Sequence, residues 1–402
     1  LASEEGVRTA EDLYAFGREG AGGNWSYLVP TPSTTISVQA VLGAGRAIER
    51  QRAKPGDWRC NKCDALVFAS REDCYKCGAK KRDAGAAGGD LTHSHYSALT
   101  IKNAVCDSLR DELGWRPSVE PEQADVPLFV HVSARGSASL YRVLSGGASM
   151  HKRGYRSDAP IHVAALRETL AAGLLLHAGY DPSVHVLCDP MAGSGTIPIE
   201  AALIATNTAP GLLRAPPPLT RWATREDRSS RTARGRRTAA RAEGTGGESA
   251  YEAAWLEAVA EARELRMTRA AMPILANDRH AGALSLAKQA ARSAGVAESI
   301  EFSESPAERF EPPDLPNLVV TNPPWDGRLE GGEEAWGALR GFLKDQCGGS
   351  TAWVLSGNSE LTQHLRMRSS GKLRVENAGA SLAYLKYDVL APRTDAEQAA
   401  AD

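Results

Sequence analysis

The chain has 402 residues, of which 42% are hydrophobic and 24% charged, and its formal net charge is −2 with a pI of about 6.6. This length indicates two or three domains. The near-neutral balance excludes attraction of nucleic acid by the charge of the whole molecule, so phosphate binding needs locally concentrated basic residues. No apolar run approaches the roughly 20 residues that span a bilayer.

The first part of the chain alternates short β-like segments with one helix-like segment, which predicts an α+β domain over residues 1–155. The predicted strands and helix are Thr35–Leu42, Val126–Val132 and Ser139–Val143, with the helix at Ala98–Leu113.

Four of the seven cysteines lie close together with C-x2-C-x10-C-x2-C spacing: Cys60, Cys63, Cys74 and Cys77. Two such pairs of thiolates fit a tetrahedral structural Zn2+, so we predict a C4 zinc finger at residues 56–82, inserted in the first domain. The other cysteines are scattered, which indicates reduced thiols in an intracellular protein. The chain opens at Leu1 without methionine, so cytoplasm and organelle (plastid or mitochondrion) both stay open.

The zinc module resembles the finger of the Ran-binding nucleoporin type, with Trp58, Phe68 and Arg71 at matching positions. The resemblance implies binding of either single-stranded RNA or protein. Where such fingers have an asparagine this chain has Val67, and Tyr75 follows the third cysteine, so base-specific readout is not implied. A purely structural finger is a further alternative.

Three segments carry basic or flexible sequence. His151–Arg156 combines basic residues with an aromatic near the domain junction, which suits either phosphate contact or a linker. Eight arginines between Arg221 and Arg241 accompany almost no aliphatic residues, so we predict disorder at about 225–247, as a solvated loop or a phosphate-binding arm. The tail over 393–402 is also predicted to be disordered.

Residues 156–392 alternate helices with short apolar strands, which predicts a parallel sheet built from βαβ units. Its last two strands are predicted to form a hairpin at the edge of the sheet. The predicted strands are Val184–Cys188, Ile274–Asn277, Ser299–Phe302, Leu318–Thr321, Thr351–Leu355, Leu373–Asn377 and Leu382–Val389.

The first predicted strand of this sheet runs into a Gly-rich turn, Asp189–Thr196, that precedes an apolar helix. The turn lacks the spacing of a P-loop or of a G-x-G-x-x-G dinucleotide site, and an acid, Asp278, ends the next strand. Asp278 suits a ribose diol, with a helix N-cap as the alternative. We therefore predict a nucleoside cofactor site. Its residues are Asp189, Met191, Ala192, Gly193, Ser194, Gly195, Thr196 and Asp278.

A second motif, Asn322-Pro323-Pro324-Trp325, follows another apolar strand. The prolines lack N–H donors and leave carbonyls free to point outward, Asn322 offers a carbonyl acceptor, and Trp325 offers a flat stacking surface. Acceptors beside an aromatic plane suit group transfer to the exocyclic amine of a base, with positioning supplying most of the rate. We predict these four residues as the catalytic site.

Together with Glu200, these motifs resemble the THUMP-domain RNA guanine-N2 methyltransferases, and within them the bacterial-type enzymes of large-subunit ribosomal RNA. The resemblance also covers the segments Ala98–Pro117, Ser149–Arg156, Arg167–Leu176, Ile199–Leu213 and Glu376–Leu390. It implies a seven-stranded Rossmann-like methyltransferase fold preceded by a THUMP-like RNA-binding domain, S-adenosylmethionine as donor and N2-methylguanosine as product. It also implies a flipped target guanine.

Two positions depart from the family's pattern. Trp325 stands where Tyr or Phe is common, and Ser303–Ser305 stands where an acid often contacts the cofactor adenine. Four alternatives remain open: a tRNA substrate, N6-adenine methylation, a non-catalytic RNA-binding assembly factor, and a zinc-finger adaptor that recruits proteins. We expect a monomer with RNA as its partner and no membrane contact.

Overall fold

The computed structural model describes residues 1–43, 58–60, 66–67, 70–80, 91, 93–133, 135–145, 149–156, 166–222, 250–325, 332–377 and 380–391. The chain forms two compact units, one of residues 1–149 with 216–255 and one of residues 150–215 with 256–402. The first unit therefore includes a stretch that lies within the predicted second domain. The predicted disordered segments at 225–247 and 393–402 lie outside the described residues.

The first unit is a four-stranded sheet with helices on one face, and it carries a separate two-stranded hairpin. Its elements are β1 (Ala2–Glu4), α1 (Ala10–Glu19), α2 (Trp25–Leu28), β2 (Ile36–Leu42), β3 (Trp58–Arg59), β4 (Leu66–Val67), α3 (Ser94–Leu113), β5 (Val126–Val132) and β6 (Ala138–Arg142), with 3-10 helices at Gly20–Gly23 and Pro218–Arg221. The sheet order is β1-β6-β5-β2, and only the β2–β5 pair is parallel.

Local sequence explains where the helices of this unit begin and end. Thr9 and Asp12 form a capping box at the start of α1, because each side chain binds the backbone N–H of the other. Gly114 ends α3 in a left-handed conformation that favours glycine. Alternate residues of β5, such as Leu128 and Val130, are buried in the core beneath α1 and α3.

Residues 216–222 join the first unit through specific contacts. Arg221 forms a 2.9 Å ion pair with Asp125 and donates to the carbonyls of Gln123 and Ala124. The guanidinium of Arg142 lies 2.9 Å from the ring centre of Trp222. These long-range contacts leave no local pattern in the sequence.

The second unit is a seven-stranded sheet between helices. Its strands are β7 (Leu187–Asp189), β8 (Ile274–Asp278), β9 (Glu301–Glu304), β10 (Leu318–Thr321), β11 (Thr351–Ser356), β12 (Gly371–Asn377) and β13 (Ala380–Asp388). The sheet order is β12-β13-β11-β10-β7-β8-β9, in which β11, β10, β7, β8 and β9 are parallel and β13 is antiparallel to both neighbours. The predicted fold class is confirmed.

The helices of the second unit are α4 (Glu168–His177), α5 (Thr196–Ala205), α7 (Ala281–Ala294), α8 (Gly332–Gln346) and α9 (Ser359–Thr362), and α6 (Ala250–Glu264) crosses the boundary between the units. Short 3-10 helices lie at Pro210–Leu213, Ala297–Ser299, Ala307–Arg309 and Gln363–Leu365. Within the described ranges, no helix is both long and apolar enough to cross a membrane.

Two predicted strands start too early. Ser299–Phe302 was predicted, whereas β9 begins at Glu301 and ends at Glu304, because Ser299 belongs to a 3-10 helix. Val184–Cys188 was predicted, whereas β7 begins at Leu187 and ends at Asp189. The preceding residues form a turn around Asp181, which accepts from the backbone and hydroxyl of Ser183 and whose carbonyl accepts from His185. Val184 is apolar but exposed in that turn, so its apolar side chain was wrongly interpreted as part of the buried strand.

Candidate functional site

The two predicted motifs lie at the carboxyl edge of the same sheet. The Gly-rich turn follows β7, and Asn322 follows β10, which lies directly beside β7. The chain leaves β7 for β8 on one side and returns through β10 on the other. In open α/β sheets, ligands bind outside the carboxyl ends of the strands at such a switch point.

The Gly-rich turn needs both of its glycines, for different reasons. Gly193 and Gly195 have φ of +54° and +76°, which is the left-handed region. A Cβ on Gly193 would meet nothing within 4 Å, whereas a Cβ on Gly195 would lie 2.8 Å from the Cβ of Ala287 in α7. Gly195 therefore permits close packing of α7, and Gly193 leaves open space above the backbone.

Asp189 is buried at the end of β7 and joins the two motifs. One carboxylate oxygen accepts from the hydroxyl of Thr321, at 2.7 Å, and from the backbone N–H of Met191, at 3.2 Å. The pKa of Asp189 is raised to about 7, chiefly by burial and to a smaller extent by the negative charge of Asp278, while the two hydrogen bonds lower it. Because Thr321 directly precedes Asn322, this contact fixes the start of the second motif against the first.

Asp278 holds the tip of the turn. One of its carboxylate oxygens accepts from the backbone N–H of Gly193 at 2.8 Å, and the other accepts from the backbone N–H of His280 at 2.9 Å. The N-cap residue of α7 is His280, so Asp278 does not take the alternative role of helix cap. Each carboxylate oxygen retains a further lone pair for a ligand hydroxyl.

Asn277, which sequence reasoning missed, links three segments of the site. Its fully buried amide group donates to the carbonyls of Pro190 and Ser305, and its oxygen accepts from the Ser305 hydroxyl. Its own carbonyl accepts from Ala192. The Ser305 side chain is thus engaged within the protein, in the segment that departs from the family's pattern.

The Asn-Pro-Pro-Trp motif is held by two indole groups. Trp325 donates its indole N–H to the carboxamide oxygen of Asn322 at 2.9 Å, and Trp336 of α8 donates to the carbonyl of Pro324 at 2.8 Å. The expectation that the proline carbonyls point outward is therefore wrong for Pro324. Trp336 lies twelve residues further along the chain, and nothing in the motif itself indicates its approach.

The basic segment at the start of the second unit binds the Gly-rich turn. Arg156 donates to the hydroxyl of Thr196 at 2.6 Å and to the carbonyl and hydroxyl of Ser194 at 3.1 and 3.3 Å. Its other guanidinium nitrogen lies 3.7 Å from Glu168, and both of these side chains are largely buried. The side chain of Arg156 therefore lies beneath the predicted cofactor site.

Two neighbours in the same segment pair with Glu200 of α5. Arg153 forms a 3.2 Å ion pair with this buried carboxylate, and the hydroxyl of Tyr155 donates to it at 3.0 Å. Burial raises the pKa of Glu200, which Arg153 and Tyr155 oppose. The sequence analysis identified a basic cluster and a separate acid but not their pairing. Pairing across more than 40 residues leaves no pattern in the sequence.

Three of the four predicted zinc ligands come together. The sulfur atoms of Cys60, Cys74 and Cys77 lie within 4.8 Å of one another, and Cys60 and Cys77 are 3.3 Å apart. Cys63, the fourth predicted ligand, lies outside the described residues, as does Phe68. None of the six described cysteines forms a disulfide.

Two family models match the chain. One, described as an RMKL-like methyltransferase domain, covers residues 153–386, and the other, a THUMP domain, covers residues 62–138.

Curated relatives match most of the chain. The ribosomal RNA large subunit methyltransferase K/L of Shewanella sp. (strain W3-18-1) is 31% identical over 78% of this chain and 41% of its own length. The protein of the same name from Syntrophotalea carbinolica is 33% identical over 82% of this chain and 44% of its own length. The chain thus spans about two fifths of the length of these relatives.

Solved structures share the fold. A possible methylase from Clostridium difficile 630 superimposes with a TM-score of 0.66 at 21% identity, covering 98% of this chain and 84% of that one. This likeness concerns the arrangement of the elements.

Proposed function

The chain belongs to the RMKL-like methyltransferase-domain family and carries a THUMP domain, as the resemblance predicted, and on this premise we propose that it methylates N2 of a guanine in RNA with S-adenosylmethionine as donor. The observation that carries the proposal is the hydrogen bond from Thr321 to Asp189. It holds the Gly-rich turn and the Asn-Pro-Pro-Trp motif together at one edge of the sheet.

The residues at the turn fit the proposed donor. Gly193 presents open backbone, because a Cβ there would meet no atom within 4 Å. Asp278, fixed beside it, retains lone pairs that suit a ribose diol. We assign donor binding to Asp189, Met191, Ala192, Gly193, Ser194, Gly195, Thr196 and Asp278.

Bound S-adenosylmethionine would supply an electrophilic methyl group for N2 of the guanine and would leave as S-adenosylhomocysteine, while the proton lost from N2 would pass to water. The carboxamide oxygen of Asn322 and the carbonyl of Pro323 accept from the N2 hydrogens and direct the nitrogen lone pair out of the base plane. Pro324 keeps the loop rigid, and Trp325 stacks on the base. The indole N–H of Trp325 holds Asn322 in place for this task.

Large-subunit ribosomal RNA is the proposed substrate, because the curated relatives bear that name. The THUMP domain of the first unit supplies the RNA grip. Transfer RNA is the second candidate substrate. Such a substrate calls for an intracellular location, in whichever compartment holds the RNA.

We further propose that Cys60, Cys63, Cys74 and Cys77 bind one structural Zn2+. The support is the convergence of the three described sulfur atoms, together with the spacing that brings a fourth. A module this small needs the metal in order to fold. It adds an RNA grip or a protein contact to the first unit.

The proposal is tested by methyl transfer from labelled S-adenosylmethionine to separated ribosomal and transfer RNA. We expect label in large-subunit RNA and a loss of about 100-fold or more with Asn322→Ala, because the loss of a positioned acceptor acts on the transition state. Asn103→Ala, at an exposed position of α3, is the matched control and should retain activity. Equal activity of Asn322→Ala and the control would refute the proposed site.

A further inference from the structure

A pocket opens beside Trp325 at the carboxyl ends of two neighbouring strands. It is lined by Trp325, Gly357, Asn358, Ser359 and Glu360. Because β10 and β11 are parallel neighbours, the residues that follow them meet at one edge of the sheet. The pocket therefore adjoins Asn322, whose oxygen binds the indole of Trp325.

Gly357 shapes the pocket by allowing Trp325 to lie against the backbone after β11. A Cβ at residue 357 would collide with three atoms of the indole ring. Trp325 is partly buried and also packs against both hydrophobic cores of the second unit. Its ring is therefore fixed in position before any base arrives.

The backbone that carries Glu360 is fixed as well. Asn358 accepts from the backbone N–H of Glu360 at 2.8 Å and from that of Leu361 at 3.4 Å. The hydroxyl of Ser356 donates to the Asn358 carbonyl and accepts from its N–H. These bonds fix the turn, and Glu360 is the acidic residue among those that line the pocket.

Glu360 is exposed, and its carboxylate has no hydrogen bond or ion pair within the part of the chain that the structure describes. A carboxylate only accepts hydrogen bonds. On its Watson–Crick edge, guanine offers an N1–H donor next to N2, whereas adenine offers a bare N1 acceptor next to N6. A carboxylate therefore attracts guanine and repels adenine.

We propose that this pocket receives the target guanine and that Glu360 accepts its N1–H, while Asn322 accepts from N2 and Trp325 stacks on the ring. The inference rests on the proposed function and names the residue that selects guanine over adenine. Glu360 is a binding residue that sets specificity. A carboxylate that accepts the N1–H also leaves more electron density on the guanine, which makes N2 more nucleophilic.

The test compares Glu360→Gln and Glu360→Ala with the wild-type chain in full-length form. The probe is unmodified large-subunit ribosomal RNA made by transcription in vitro, and kcat/KM is measured for the RNA and for S-adenosylmethionine. We expect kcat/KM for the RNA to fall about tenfold or more in both variants, since a charge-assisted bond to the base is lost. The KM for S-adenosylmethionine and the unfolding temperature should stay within error.

Glu298→Gln is the matched control, because Glu298 is also exposed on the second unit and does not line the pocket. It should behave as wild type. Activity of Glu360→Gln within twofold of wild type, with N2-methylguanosine still formed, would overturn the inference and leave the proposed function standing. A wild-type chain that methylates no guanine would overturn both.

Discussion

Asp189 shows how one buried side chain serves both motifs. It is 2% exposed, yet it receives only two hydrogen bonds within the described residues, from Thr321 and from Met191. Burial without a cationic partner disfavours its charged form, so its pKa rises from 3.8 to about 7. The folded protein therefore holds a carboxyl group with a pKa of about 7 between the two motifs.

This titration predicts a pH-dependent stability. Between about pH 4 and pH 7 the unfolded chain ionises Asp189 while the folded chain keeps it protonated, so the free energy of unfolding falls as pH rises through this window. Asp189→Asn removes the ionisable group and with it this pH-dependent contribution to the free energy of unfolding. Denaturant unfolding should show its stability relative to wild type increasing by on the order of 3 kcal/mol from about pH 4 to pH 7, and levelling above. Parallel pH profiles would disprove the assignment.

The two glycines of the turn predict two different phenotypes. Gly195→Ala places a Cβ against Ala287 in a left-handed conformation, so it should lower the free energy of unfolding by about 2–3 kcal/mol. Gly193→Ala meets no neighbour and should cost only about 1 kcal/mol. Because its methyl group projects into the space assigned to the donor, calorimetry should show weaker S-adenosylmethionine binding. Equal stability losses in the two variants would contradict the packing.

At the scale of elements, the segment before α4 supports the Gly-rich turn from below. Arg156 donates to Ser194 and Thr196. In the helix that follows the turn, Glu200 pairs with Arg153 and accepts from the hydroxyl of Tyr155. The turn is thus held on one side by Asp278 and on the other by Arg156. A well-held turn loses little conformational freedom when a ligand binds.

Replacement of Arg156 should therefore weaken donor binding, although Arg156 is not assigned a contact with the donor. Arg156→Ala removes three hydrogen bonds to the turn and leaves the largely buried Glu168 without its cation. Calorimetry should show the Kd for S-adenosylmethionine rising about tenfold or more, with RNA affinity unchanged. Arg374→Ala, which removes an exposed arginine from β12, is the control. A Kd that stays at the wild-type value would argue against this support.

Elements were predictable where burial follows a local pattern. β5 and β10 occupy the predicted residues Val126–Val132 and Leu318–Thr321, because a buried strand reads as a continuous or alternating apolar run. The edge strand β1 was missed, since its three residues are partly or fully exposed and carry no such pattern. The support of the turn by Arg156 was missed because it depends on tertiary contacts.

At the scale of the whole molecule, the Gly-rich turn and the Asn-Pro-Pro-Trp motif were recognisable because each is one short segment at a strand end. The proposed base pocket was not, because Gly357 and Glu360 follow a different strand, and only the order of the sheet brings them beside Trp325. The recruitment of 216–222 into the first unit was equally hidden, as it depends on Arg221 meeting Asp125. Sequence patterns show which residues are neighbours along the chain, whereas a site combines residues that are far apart in the sequence.

The zinc proposal predicts a metal content for the intact protein. Inductively coupled plasma mass spectrometry should find about one zinc per chain. The double replacement Cys74→Ser with Cys77→Ser should remove nearly all of it, because two thiolates of the tetrahedral set are lost. Cys347→Ala, in the core of the second unit, should retain the metal. Retention of zinc by the double variant would exclude this cluster.

The most direct test of the account is the identity of the nucleoside that the intact chain methylates. Large-subunit ribosomal RNA is incubated with S-adenosylmethionine carrying a deuterated methyl group, digested to nucleosides and analysed by mass spectrometry. The account predicts deuterium in N2-methylguanosine, lost in Asn322→Ala. Deuterium in N6-methyladenosine, or in no nucleoside of any RNA fraction, would contradict it.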